Sequence, residues 1–126
     1  MSYNWEGKTI LIVEDESDSR LILKVYLKKT LATIYTVVNG QEAIDFCSSN
    51  QDVDLILMDI SMPVKGGLEA SREIKDFNSD IIIIAQTALA SKSFMSKCID
   101  AGCDNYVSKP IKRLALLELL SKYLDN

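Results

Sequence analysis

The feature that most constrains this chain is a set of short, almost uninterrupted apolar runs. TILIV covers Thr9–Val13, LILM covers Leu55–Met58 and IIIIA covers Ile81–Ala85. Each is short, bounded by polar residues and rich in branched side chains, so each reads as a strand. A strand with one wet face alternates apolar and polar residues. These three do not, so they need cover on both faces, as at the centre of a parallel sheet. Thr33–Val38 (TIYTVV) and Asn105–Val107 (NYV) are two weaker strand candidates.

Helical patterns fill the gaps. Ser17–Lys29 carries Leu21, Ile22 and Val25 as an apolar side. Asn39–Ser48 opens with Asn39 three residues before Glu42, a capping-box-like start, and spaces Ala43, Ile44 and Cys47 helically. Leu68–Phe77 carries Ala70, Ile74 and Phe77. Ser91–Ala101 is followed by Gly102, a natural C-terminal stop. Ile111–Leu124 comes last. Five strand–helix alternations predict an α/β fold with a parallel sheet between two layers of helices. Ligands in such sheets sit beyond the C-terminal strand ends.

Those ends carry chemistry. Glu14, Asp15 and Glu16 follow the first run, Asp59 the third strand, Gln86 and Thr87 the fourth, and Ser108, Lys109 and Pro110 the fifth. Clustered carboxylates raise one another's pKa unless a cation intervenes. Every available ligand is an oxygen, which points to a hard divalent ion, Mg²⁺ above all. A lysine and a hydroxyl then suit the remaining oxygens of a phosphoryl group. Asp59 reads as the nucleophile that forms an aspartyl phosphate. Taken singly, each feature has a plainer explanation as a turn residue, a helix cap or an acidic first turn. Complementary groups at four strand ends of one sheet are harder to dismiss.

Composition prunes alternatives. The chain has 126 residues, enough for one domain, with a net charge of −4 that disfavours binding to nucleic acid. It has no histidine, which excludes Ser-His-Asp triads, histidine metal sites and phosphorylation of a histidine of its own. Cys47, Cys98 and Cys103 are expected to be reduced thiols, as in a cytoplasmic protein. No secretory leader or membrane span is expected, and residues 1–7 are read as a leader to a domain at 8–126.

Taken in order, IVEDE, LILMDISMP, QTA and SKP resemble the receiver domains of two-component response regulators, from about Lys8 to Leu124. The resemblance implies a flavodoxin-like (βα)5 doubly wound sandwich with strand order 2-1-3-4-5. It implies Asp59 as phosphoacceptor from a partner histidine kinase or histidine phosphotransfer protein. It further implies Mg²⁺ (with Mn²⁺ as a substitute) held by Glu14, Asp15, Asp59 and the backbone carbonyl of Ser61. Thr87, Ala88 and Lys109 would bind phosphate, Thr87 and Tyr106 would switch, and Lys109–Pro110 would be a cis bond. Ser61 and Leu89 would tune water access, with slow self-dephosphorylation. Signal would leave through Ser91–Ala101, Asn105–Val107 and the last helix, whose broad apolar arc (Leu116, Leu117, Leu119, Leu120, Tyr123, Leu124) suggests deep packing, or contact of part of it with a kinase or, by self-association, a second receiver.

Two departures stand out: Gly66 where many relatives have aspartate, and Glu-Asp where Asp-Asp is also common. IIIIAQTALA and the Asn4-Trp5 pair resemble the receivers of hybrid sensor histidine kinases, in the cytoplasmic part of such a protein. A stand-alone regulator is the alternative. An aspartate-nucleophile phosphatase is a remote one, since Ser61 stands where its second aspartate belongs. A flavodoxin-like cofactor module would have to place phosphate beside Glu14–Glu16, which repel it.

Overall fold

Alternating side chains along each strand feed two separate cores, one on each side of a single sheet. The computed structural model describes residues 3–60, 65–88 and 91–125. Its strands are β1 (Thr9–Val13), β2 (Thr33–Val37), β3 (Leu55–Asp59), β4 (Ile82–Thr87) and β5 (Asn105–Ser108). The helices are α1 (Ser17–Leu27), α2 (Gly40–Ser49), α3 (Gly67–Phe77), α4 (Lys92–Asp100) and α5 (Arg113–Leu124). All pairings are parallel, in the order β2-β1-β3-β4-β5. This is the flavodoxin-like arrangement expected.

One core joins Leu11, Val13, Ile56, Met58, Ile83 and Ala85 to α2, α3 and α4. The other joins Ile10, Ile12, Leu55, Leu57 and Ile84 to α1 and α5. Every residue of β3 is buried, which explains its unbroken apolar run. β2 is an edge strand and alternates exposed with half-buried residues.

Helix α1 corrects the reading of its apolar side. Leu21, Ile22 and Val25 are 61%, 48% and 62% exposed, whereas Leu23 and Leu27 are buried. The sequence carries two apolar stripes, and Leu23, Tyr26 and Leu27 form the one that faces the sheet. Regular α-helix also stops at Leu27, with one 3-10 turn at Lys28–Thr30. Phe77 is likewise exposed at the end of α3.

Helix α5 buries Leu116, Leu117, Leu120 and Leu124, while Leu119 and Tyr123 are half-buried, so deep packing accounts for most of its arc. The predicted start of α2 is confirmed: Asn39 accepts the Glu42 N–H at 2.8 Å, and the Glu42 carboxylate accepts the Val38 N–H at 2.9 Å. Gly102 has φ +96° and ends α4, with the Cys103 N–H donating to the Cys98 carbonyl at 3.0 Å.

Trp5 is 1% exposed and belongs to the α1/α5 core, and its indole N–H donates to Asp125 Oδ1 at 2.7 Å. The residues before β1 therefore tie the two chain termini together. Among the described residues, no helix is long and apolar enough to cross a membrane. The three cysteines are free and buried. Burial pushes the Cys47 and Cys103 thiols up to about 11 and raises Cys98 as well, so all three are poor nucleophiles.

Candidate functional site

The acidic crevice is a direct product of strand register. Val13 pairs with Met58 and Asp59 pairs with Gln86, so the residues at the ends of β1, β3 and β4 lie side by side. Glu14, Asp59 and Gln86 share the parity of Ile12, Leu57 and Ile84, which places all three on the α1/α5 face. Gln86 pairs with Val107 of the same core, and Lys109 follows two residues later on that same side. Lys109 reaches the acids from the far strand: its Nζ is 3.2 Å from Asp59 Oδ1 and 3.5 Å from Glu14 Oε1.

Burial charges this geometry. Glu14 is fully buried and Asp59 is 2% exposed, while Asp15 is exposed. Each of the three offers a carboxylate oxygen within 4.8 Å of the others. Burial, and then the adjoining Asp59, push Glu14 from 4.5 up to about 7. Burial works against the charge of Lys109, but Asp59 and Glu14 outweigh it and raise the ammonium above its usual range. Two buried acids opposite one lysine leave negative charge in excess, and all the donors are oxygens. That set fits a hard divalent cation such as Mg²⁺.

The supports are local. The Lys109 N–H donates to the Thr87 carbonyl at 2.8 Å, which fixes the start of the lysine's reach. The Lys109–Pro110 bond is cis, as expected. Glu14 is held by Arg20, whose guanidinium donates to the Glu14 carbonyl at 2.8 Å, and its Oε2 accepts the Glu16 N–H at 3.3 Å. A Cβ on Gly67 would collide with the backbone of Asp59 and Ile60, so only glycine lets α3 start this close to the acid.

The structure brings Glu14, Asp15, Asp59 and Lys109 together and puts Thr87, 3% exposed, at the end of β4 beside them. Ala88 follows on the surface. Tyr106 pairs with Ala85, two residues before Thr87 on the same face, and packs half-buried against the α2–α4 core. Ser61 and Leu89 lie outside the described residues. Two participants escaped the sequence reading. Arg20 has no distinguishing signal, since it is one charge among several on a helix. Gln86 was seen only as a residue after an apolar run, yet it lies within β4 and is fully buried.

Fold and site together define a doubly wound α/β domain whose strand ends set buried acids against a lysine. The chain belongs to the response regulator receiver family: residues 10–121 match the family described as Response regulator receiver domain. It is 33% identical over 118 residues to the chemotaxis protein CheY of Halobacterium salinarum, spanning 94% of this chain and 98% of that protein. It is 35% identical over 124 residues to the hybrid signal transduction histidine kinase L of Dictyostelium discoideum, covering 93% of this chain but 7% of that kinase. Among solved structures, a Saccharomyces cerevisiae complex of the histidine phosphotransfer protein Ypd1 with the receiver domain of Ssk1 matches with TM-score 0.89 and 30% identity. That match covers 95% of this chain and 90% of that one. Receiver domains are signalling domains, not enzymes in the usual sense, and they bind Mg²⁺ at an acidic pocket.

Proposed function

We propose that this domain accepts a phosphoryl group on Asp59 from a phosphohistidine of a partner kinase or histidine phosphotransfer protein. The observation that carries the reading is the crevice itself, with three carboxylate oxygens within 4.8 Å and Lys109 Nζ between two of them. An Asp59 carboxylate oxygen attacks phosphorus, the P–N bond to the partner's imidazole breaks, and its electron pair stays on that nitrogen. Glu14, Asp15 and Asp59 would hold Mg²⁺, with the Ser61 carbonyl as the family's further ligand and Mn²⁺ as a substitute. The ion supplies neutralisation of phosphoryl charge. Lys109 turns to a phosphoryl oxygen, the Thr87 hydroxyl donates to another, and Ala88 flanks them. Tyr106 follows Thr87 and alters the surface formed by α4, β5 and α5.

The partner's class is supported by the Ypd1 complex among the structural neighbours and by α1. Leu21, Ile22 and Val25 form an exposed apolar side on the helix that begins beside the acids, and they suit contact with a helical phosphodonor. We read the chain as the receiver of a hybrid sensor kinase, on its match to such kinases. The match to nearly all of CheY supports the competing reading, a stand-alone regulator. The size of the protein made by the cell, seen on an immunoblot, decides between them.

The chemistry is tested by incubation with acetyl phosphate and Mg²⁺ followed by intact mass. One phosphoryl group is expected on wild type and none on Asp59→Asn. Equal labelling of both removes Asp59 from this role.

A further inference from the structure

Gln86 is the one buried side chain among the described residues whose polar atoms find no partner: both Oε1 and Nε2 are without a hydrogen bond. The residue is fully buried. An unsatisfied amide in a protein interior costs more than one hydrogen bond normally returns, so it calls for an explanation. A methionine or leucine would fill this place in an apolar core at less cost.

The surroundings point to one. Gln86 lines a cavity of about 230 Å³ between α1 and the segment after β5, together with Lys109, Glu14, Ser19 and Tyr26. It stands next to Asp59 in the sheet register, on the face that Lys109 must cross to reach the acids. The lysine ammonium has three donors, and Glu14 and Asp59 engage two of them. The amide thus presents an acceptor with no protein partner in the cavity it shares with a cation that the proposed chemistry requires to turn.

We propose that Gln86 is a positioning residue for the phosphorylated state. Its side-chain oxygen accepts a hydrogen bond from the Lys109 ammonium, directly or through a water in the cavity, when the lysine leaves the Asp59 carboxylate for a phosphoryl oxygen. Without the phosphoryl group the amide has no protein partner, and the bond to Lys109 supplies one in the other state. This inference rests on the phosphoacceptor reading above.

The test uses beryllofluoride, a phosphoryl analogue, with wild type, Gln86→Met and Gln86→Leu. Mg²⁺ affinity and beryllofluoride affinity are measured separately by calorimetry, with the melting temperature alongside. In Gln86→Met, beryllofluoride is expected to bind at least about tenfold more weakly, the loss of one charge-assisted hydrogen bond. Mg²⁺ affinity should stay within about twofold and the melting temperature should hold or rise. A merely structural role would lower Mg²⁺ and beryllofluoride binding together, and that result overturns the proposal, as does unchanged beryllofluoride binding. If neither variant folds, the wild-type Gln86 amide decides: its NMR resonances must shift on adding beryllofluoride, and fixed resonances overturn the proposal. Wild type that binds no beryllofluoride refutes the phosphoacceptor reading itself, an outcome seen before any variant is made.

Discussion

Lys109 Nζ lies 3.2 Å from Asp59 Oδ1, although Asp59 ends β3 and Lys109 follows β5, two strands separated by the whole width of β4. The pair spans the crevice as a strut. Removing its cation leaves Glu14 and Asp59 facing each other in a buried site. Lys109→Met is expected to destabilise the metal-free domain by about 1–3 kcal/mol, below the range for a fully buried pair because the lysine is partly exposed. The loss should shrink in an Asp59→Asn background, where the repulsion is gone. Urea titrations of the four proteins complete the cycle, and an undiminished loss in that background would show that the strut is not electrostatic.

Glu14 sets the pH dependence. Its carboxyl is raised from 4.5 to about 7 in the folded chain, so between these values the folded state holds a proton that the unfolded state has lost. The resulting stability is complete below about 4.5 and fades as pH rises through about 7. The melting temperature of metal-free protein is therefore expected to fall across this window from Glu14's contribution. Glu14→Gln should flatten that part of the slope, and Mg²⁺ should offset it, with tighter Mg²⁺ binding above pH 7 than below. Scanning calorimetry at several pH values, with and without Mg²⁺, checks the sign.

Gly67 is a steric gate on the site. Gly67→Ala drives a methyl group into the Asp59 and Ile60 backbone. A loss of about 1–3 kcal/mol is expected from such overpacking. The displaced carboxylate should also slow labelling by acetyl phosphate, which intact mass over time will show. Gly66→Ala is the control, because a Cβ there meets nothing within 4 Å.

Trp5 should be as important as any core leucine. Trp5→Ala is expected to cost about 3–5 kcal/mol, and deletion of residues 1–7 a comparable amount. Trp5→Phe keeps an aromatic ring but loses part of the indole's bulk and the 2.7 Å bond to Asp125, for about 1–3 kcal/mol. Urea denaturation followed by circular dichroism distinguishes the three.

The outer side of α1 should matter for partner transfer alone. Leu21→Glu and Val25→Glu alter residues 61% and 62% exposed and should change stability by less than about 0.5 kcal/mol. Labelling by acetyl phosphate should be unaffected, whereas transfer from a phosphorylated histidine phosphotransfer protein should slow about tenfold or more, the effect of losing one good apolar contact. Equal slowing from both donors would remove α1 from the docking surface.

What the sequence alone determined was local. Apolar runs of four or five residues, with no polar alternation, specify doubly covered strands because both pleated faces need apolar side chains. The α2 start and the Gly102 stop were legible because caps depend on residues within a few positions of one another. Glu14, Asp15, Asp59, Thr87 and Lys109 were legible because they end strands or directly follow them, and parallel strands deliver their ends to one edge.

Tertiary structure decided what depends on distant partners. α1 carries two apolar stripes, and only the position of the sheet selects Leu23 and Leu27 over Leu21, Ile22 and Val25. Trp5 reads as a leader residue until Asp125, 120 positions away, accepts its indole N–H. Register, which no local pattern specifies, puts Gln86 beside Asp59 and beneath the reach of Lys109. Local rules place residues on elements; the low-dielectric interior between elements then makes Glu14 a weaker acid and leaves the Gln86 amide without a protein partner.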